Sequence, residues 1–216
     1  MALLYTSRRI TRHALAYVAG LIAADGSLEI RDPFITLPSA NRDFLEQHAR
    51  RYLETVAGRR IRSFVDKYAK VYKLRIYNRA LWRTLIERYN VPAGAKSRIV
   101  KPPFTLTPRE EIAYVQGWFD GEGWLEVLRV RSKTLHEYPR IGFKVRSKSI
   151  RDWIVEVIRK KGVRVSSYDR KDDTFGLWIN GLKACELFRH RIGFGYPRKN
   201  EALKQLVTKC RGQVST

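Results

Sequence analysis

The sequence predicts an α+β protein of two pseudo-symmetric αββαββ(α) halves, each built on an antiparallel sheet. Three observations lead there. The stretch Val18–Gly26, VAGLIAADG, closes on an acid and a glycine and returns 97 residues later as Val115–Gly123, VQGWFDGEG. Other landmarks return in the same order at drifting offsets: Arg42-Asp43-Phe44 as Arg151-Asp152-Trp153, and Leu74-x-Ile76 as Leu177-x-Ile179. Helix-like and strand-like patterns also alternate in one rhythm through both halves. Offsets that vary by a loop length describe two homologous halves, not a solenoid of short units.

Each element has a local reason. An apolar-periodic helix over 11–24 stops at Asp25-Gly26, since glycine commonly follows a helix end. Strands at 27–31 and 34–38 are turned by Asp32-Pro33. Asn41 caps a helix reaching Val56, because its side chain can accept from free N–H groups of the first turn. Strands at 60–66 and 71–77 and a helix at 79–89 complete the first half, residues 1–89. Residues 90–108, with four prolines and Gly94, form the linker. The second half, 109–216, repeats the order: helix 109–121, strands 124–132 and 139–146, helix 149–161, strands 163–169 and 174–179, helix 181–190. A basic amphipathic helix at 199–211 follows.

Composition narrows the partners. Forty-three Lys and Arg against 21 Asp and Glu give a net charge of +22, spread from Arg8 to Arg211. A field of that sign calls for a polyanion, and nucleic acid is the default. Two cysteines cannot make a four-ligand zinc site or a disulfide framework, which indicates an intracellular protein. The apolar run from Ala14 to Ala24 is too short to span a bilayer, so no membrane partner is expected. It follows basic residues as a signal peptide would, but its Asp-Gly ending and internal copy argue otherwise.

The two motifs carry the chemistry. Ala16, Ala19, Gly20 and Ala23 share one helix face, and Ala113, Gln116, Gly117 and Asp120 take the matching places. Glycine inside a helix costs about 1 kcal/mol relative to alanine, so Gly20 and Gly117 need a packing reason. Close approach of the two helices supplies it. Asp25 and Glu122 then lie at adjacent helix ends, where two carboxylates repel unless a cation bridges them. With the carbonyls of Ala24 and Gly121 this is an oxygen-only donor set of the kind Mg²⁺ accepts. Paired acids, a divalent metal and a basic surface point to phosphodiester hydrolysis.

VAGLIAADG and VQGWFDGEG resemble the two motifs of the single-chain LAGLIDADG homing endonucleases. The resemblance extends over nearly the whole chain and implies an intron-encoded, archaeal-like, monomeric enzyme. The implied fold sets two sheets as a saddle on double-stranded DNA, with site-specific cleavage leaving 3′ overhangs. It implies that Asp25 and Glu122 bind metal, helped by the Ala24 and Gly121 carbonyls. Lys96 in Gly94-Ala95-Lys96-Ser97-Arg98 and Arg198 in Tyr196-Pro197-Arg198-Lys199-Asn200 are assigned to water polarisation and the leaving phosphate. Mg²⁺ is the expected cofactor, with Mn²⁺ substituting and Ca²⁺ binding without cleavage. Ala23 departs from the motif, standing where the repeat has Asp120. Maturases acting on intron RNA, and non-cleaving DNA binders, share the fold and remain as alternatives.

Strand alternation nominates the DNA contacts. With Leu74 and Ile76 inward, Lys73, Arg75 and Tyr77 face out; with Ile61 and Val65 inward, Arg60 and Arg62 do. Leu128 and Val130 inward leave Arg129, Arg131 and Lys133 outward, and Ile141, Phe143 and Val145 inward leave Arg140, Lys144 and Arg146. Arg31, Arg164, Ser166, Tyr168, Arg170, Trp178 and Lys199 complete the set. The strand at 34–38 is apolar on both faces, so alternation assigns it no register.

Overall fold

The computed structural model describes residues 2–66, 70–131 and 135–212, with side chains from Arg12 onward and none at Arg131 or Leu135. The predicted contact Lys133 lies outside the described residues. Backbone contacts divide the chain into two compact units, Met1–Gly121 and Glu122–Thr216.

In the first unit, helix α1 (Ala2–Ala24) is longer than its periodicity indicated and leads into β1 (Ser27–Leu28) and β2 (Phe34–Ser39). β1 is shorter than expected: only Ser27 and Leu28 pair with β2, and the bond from Glu29 N–H to the Phe34 carbonyl, 3.0 Å, is the last contact before the chain reverses through 30–33. Asn41 does start a helix, its Oδ1 accepting from Phe44 N–H at 3.0 Å. That helix opens with a π-helical stretch, Phe44–Ala49, before α2 (Arg50–Ala57). Then come β3 (Ser63–Asp66), β4 (Val71–Tyr77) and α3 (Arg79–Tyr89). The sheet is antiparallel in the order β1-β2-β4-β3. Pairing settles what alternation left open in β2: Ile35 faces Ile76 and Leu37 faces Leu74, and all four are buried. Each such side chain stabilises the fold by about 1.5–3 kcal/mol.

Helix α4 (Pro108–Glu122) closes this unit. Its start is a capping box. Glu110 Oε2 accepts from Thr107 N–H at 2.9 Å while Thr107 Oγ1 accepts from Glu110 N–H at 3.4 Å. Pro108 occupies the first helical position, where its missing N–H costs nothing. Arg88 of α3 reaches the buried Glu110 at 2.6 Å and fixes the helix start against its neighbour.

The second unit repeats the plan: β5 (Gly123–Arg131), β6 (Leu135–Val145), α5 (Lys148–Lys160), β7 (Ser166–Asp169), β8 (Phe175–Asn180), α6 (Leu182–Arg191) and α7 (Pro197–Gly212). The sheet order, β5-β6-β8-β7, matches that of the first unit. Ile141, Phe143, Leu177 and Ile179 form its buried face. Arg151 lies fully inside, and its guanidinium donates to the carbonyls of Tyr168 and Gly176 and to Asp169 and Asp152. This guanidinium staples α5 to the β7–β8 hairpin. Its repeat partner Arg42 is exposed, its guanidinium 5.6 Å from the Tyr72 ring centre, so the halves diverged here. Arg151→Met is expected to cost about 3 kcal/mol, because two strand carbonyls and two carboxylates lose their cation. Denaturant titration checks this; an unchanged midpoint would remove the staple from the account.

Candidate active site

The first unit contains both motif helices, and they pack through their glycines. A Cβ placed on Gly20 would sit 2.0 Å from the Tyr114 carbonyl oxygen, and one on Gly117 would sit 2.2 Å from that of Tyr17. Tyr17 and Tyr114 are themselves repeat equivalents, 97 residues apart. Each helix therefore sets a tyrosine carbonyl into the hollow left by the other's glycine. Any side chain there would push the backbones apart.

Asp120, the acid missing from the first motif, lies buried at this interface. Tyr17 Oη donates to Asp120 Oδ2 at 2.7 Å, and His48 Nε2 lies 3.1 Å from the same hydroxyl. The hydroxyl has one proton and gives it to the carboxylate, so Nε2–H of a neutral His48 is the donor to Tyr17 Oη. Tyr52 packs on Tyr17 with ring centres 4.3 Å apart. Asp120 thus anchors α4 to α1 through Tyr17, while Ala23, its counterpart, is simply buried.

Burial, and secondarily the Arg51 charge, pushes the His48 pKa down to about 4 from 6.5. Between those values the unfolded chain takes up a proton that the folded chain refuses. Stability therefore falls as pH drops from about 6.5 toward 4. His48→Gln is expected to flatten this part of the Tm–pH curve. An unaltered slope would exclude His48 as its source.

Just past the end of α1, Asp25 N–H still bonds the Leu21 carbonyl at 3.0 Å; Ala24 is half-buried and Asp25 exposed. A Cβ on Gly121 would lie 2.7 Å from Ala24 Cβ and 3.0 Å from Asp25 Oδ2, so this glycine leaves the Asp25 carboxylate room beside α4. α4 itself ends on Glu122. Lys96 lies at the same end of α1, where its ammonium donates to the carbonyls of Ile22, Ala23 and Ala24, the last two at 2.8 and 2.9 Å. The segment carrying Lys96 is pinned by Gly94, whose N–H reaches the Leu28 carbonyl at 2.8 Å and whose φ of +78° suits glycine. The sequence signal for this contact was Lys96 itself, but nothing in its neighbours specified the three carbonyls. Arg198 is exposed in the first turn of α7 in the second unit, and Lys199 sits with its ammonium 5.0 Å from the Phe194 ring centre.

Each sheet has one face packed on helices and one open. In the first, pairing of Thr36 with Arg75 and of Pro38 and Phe64 with Lys73 puts these residues on the open face. Arg75 lies over the Phe34 ring at 4.1 Å and pairs with Glu29 at 2.6 Å; Lys73 pairs with Asp66 at 2.5 Å; Tyr77 is exposed. Arg31, Arg60 and Arg62 are exposed outside the strands. Val65 shares the helix-side face with Tyr72, yet it is 53% exposed, because β3 is an edge strand reaching beyond the core.

In the second sheet the parity read for β5 is overturned. Leu125 faces Ile141 and Gly123 faces Phe143, so the odd-numbered positions of β5 lie on the core side. Arg129 has the helix-side parity and donates to Glu137 at 2.9 Å, although its side chain stays 67% exposed beyond the helices, and the side chain of Arg131 lies outside those described. Leu128 and Val130 lie on the open face with Arg140 instead. Both parities of this strand are apolar, and only the pairing decides between them. Around Arg140 the open face is aromatic. Its guanidinium lies 4.5 Å from the Trp178 ring centre, and Trp124 and Tyr168 lie against Trp178 at 5.3 and 5.5 Å. Gly142 and Gly176 make room for these rings. Lys144, Arg146, Arg164, Ser166 and Arg170 are exposed.

Similarity to known proteins follows the same lines. Residues 12–90 match the LAGLIDADG-like domain. Over 205 residues the chain is 27% identical to homing endonuclease I-ApeI of Aeropyrum pernix, covering 90% of this chain and 87% of that protein. Its structure is similar to that of I-DmoI in complex with DNA and Ca, with a TM-score of 0.64 and 17% identity over 90% of this chain and 98% of that one. It is also similar to the I-LtrWI LAGLIDADG homing endonuclease bound to target DNA, with a TM-score of 0.62 and 13% identity over 94% and 92%.

Proposed function

We propose that this chain, which has the LAGLIDADG homing-endonuclease fold in its single-chain, two-motif form, is a site-specific double-strand DNA endonuclease. It acts as a monomer on a long asymmetric site, hydrolyses phosphodiesters with a divalent metal, and leaves 3′ overhangs. Its repeat halves are 1–89 and 109–216, joined by 90–108. No described helix is long and apolar enough to cross a membrane.

The observation that carries this reading is the end of α1, where an exposed acid adjoins a carbonyl cup that already takes up a cation, the Lys96 ammonium. Among the described residues no three His, Cys, Asp or Glu side chains gather as a metal site. An ion held by Asp25 and Glu122 with the Ala24 and Gly121 carbonyls would therefore complete its shell with water and phosphate oxygens, as Mg²⁺ readily does. Mn²⁺ is expected to replace it and Ca²⁺ to bind without supporting cleavage. The ion would supply a water of lowered pKa and neutralise charge at the scissile phosphate. Asp25 and Glu122 would hold it, and Lys96 in the first unit and Arg198 in the second are the basic residues assigned to the water and the leaving phosphate.

The open sheet faces supply the DNA contacts. Arg75 and Arg140 are each stacked on a ring and held by a glutamate, which presets a guanidinium for a base edge. Tyr77, Lys144, Ser166, Tyr168 and Trp178 lie on the same faces, and the exposed basic residues around them serve the phosphates.

Cleavage of a randomised DNA library in Mg²⁺, with the cut ends sequenced, tests the proposal. Recurrent cuts at one long site are expected, and tight binding without cutting would favour a splicing or non-cleaving protein. Binding to that site is expected to weaken about 10³-fold or more between 50 and 200 mM salt, as several phosphates are neutralised. A filter-binding series checks it, and a flat profile would remove the electrostatic part of the reading.

A further inference from the structure

We infer that Lys96 is a built-in stand-in for the divalent cation, seated in the carbonyl cup of α1 and displaced when the metal enters. The inference rests on the metal site proposed above and adds an order of events to it. One contact carries it. The Lys96 ammonium donates to three successive carbonyls, those of Ile22, Ala23 and Ala24, at the negative end of the α1 dipole. These are the last-turn acceptors that a helix leaves without internal donors. One of them, Ala24, is also the carbonyl proposed as a metal ligand.

An ammonium and a divalent cation on one carbonyl oxygen stand only about 4 Å apart, given ordinary hydrogen-bond and metal–oxygen distances. At that separation their repulsion is strong in a partly buried site. Both cannot hold Ala24 fully, so the metal must loosen Lys96 or bind weakly.

The backbone allows the exchange without refolding. Gly94 N–H is fixed to Leu28, and the Lys96 carbonyl accepts from the N–H groups of Ile99 and Val100, each at 3.0 Å. The segment stays in place while the flexible four-carbon stem of Lys96 swings. A released ammonium is then free to meet phosphate. Lys96 thus stabilises the α1 end before metal entry and serves the phosphate after it, which makes metal binding and lysine release one linked step.

Mn²⁺ titration of the DNA-free protein, followed by the loss of free-Mn²⁺ EPR signal, tests this. Lys96→Met is expected to tighten Mn²⁺ binding about 10-fold, within the usual range of coupling between linked sites. Asp25→Asn is expected to abolish it. If Asp25→Asn abolishes binding while Lys96→Met leaves it unchanged, weaker or undetectable, the displacement is wrong and the metal site stands. Mn²⁺ binding unaffected by Asp25→Asn overturns both. A second measurement uses the native chain: the Lys96 ammonium should give a slowly exchanging ¹⁵N–H₃ resonance, identified by its absence in Lys96→Met. Saturating Mg²⁺ should remove it, and its persistence would overturn the inference.

Discussion

Asp25→Asn and Glu122→Gln are each expected to lower double-strand cleavage about 10³-fold or more, while DNA affinity changes by no more than a few fold. Each substitution keeps the side chain's size and removes the anion that would hold a hard divalent cation. A metal contribution of about 4 kcal/mol to the transition state corresponds to about 10³ in rate. Binding is spared because it rests on the basic field of a +22 chain and on the sheet faces, to which one carboxylate contributes little. Removing an acid that faces a polyanion can even tighten the complex slightly. Cleavage of a supercoiled plasmid carrying the site, read beside a gel-shift titration, separates the two quantities. Near-normal cutting by either variant would end the assignment of that acid, whereas loss of binding and cutting together would indicate misfolding. Asp120→Asn is the matched contrast. It is a motif acid too, but it accepts from Tyr17 inside the helix interface, so its loss should lower Tm before it lowers the rate at permissive temperature.

The second large effect belongs to packing. Gly20→Val is expected to destabilise the first unit by about 3 kcal/mol, the upper end of ordinary overpacking costs. That corresponds to a fall of about 10 °C in Tm for a protein of this size. The cause is specific: the new Cβ would lie 2.0 Å from the Tyr114 carbonyl oxygen, a backbone atom that no rotamer change can move. Gly117→Ala meets the Tyr17 carbonyl and the Leu21 N–H in the same way, at 2.2 and 2.6 Å. Gly58→Ala is the control, because nothing lies within 4 Å of its Cβ and its left-handed φ of +65° costs only local strain. Differential scanning calorimetry checks the series. Equal Tm values for Gly20→Val and Gly58→Ala would refute glycine-mediated contact between α1 and α4. A parallel loss of cleavage is expected, since the spacing of these helices sets where Asp25 lies.

The repeat was readable because its signals are local. Gly20 and Gly117 announce a close approach, Asp25 and Glu122 stand at helix ends, and the paired motifs lie a half-chain apart. The helix start at Asn41 was equally accessible, since a capping side chain acts on an N–H group three residues away. Edges and faces fared worse. β5 is apolar at both Leu125/Val127 and Leu128/Val130, so its alternation carried no information until Ile141 claimed Leu125 across the ladder. Val65 looked like core and is exposed, because burial depends on whether a helix covers that part of the edge strand.

The duplication, the two glycine-bearing helices, the acids at their ends and the basic field around them are legible in the bare chain. Those follow from spacing and charge along a single chain. Folding is needed to see that Asp120 anchors the helix interface through Tyr17, that Arg151 is a buried staple while Arg42 is not, and that Arg129 has the helix-side parity of its strand. It alone placed the Lys96 ammonium on the carbonyls of α1, more than 70 residues back along the chain. The physical reason is common to all of these. A carbonyl, a ring or an opposing strand changes what a side chain does, and its identity is fixed by contacts that no local pattern encodes.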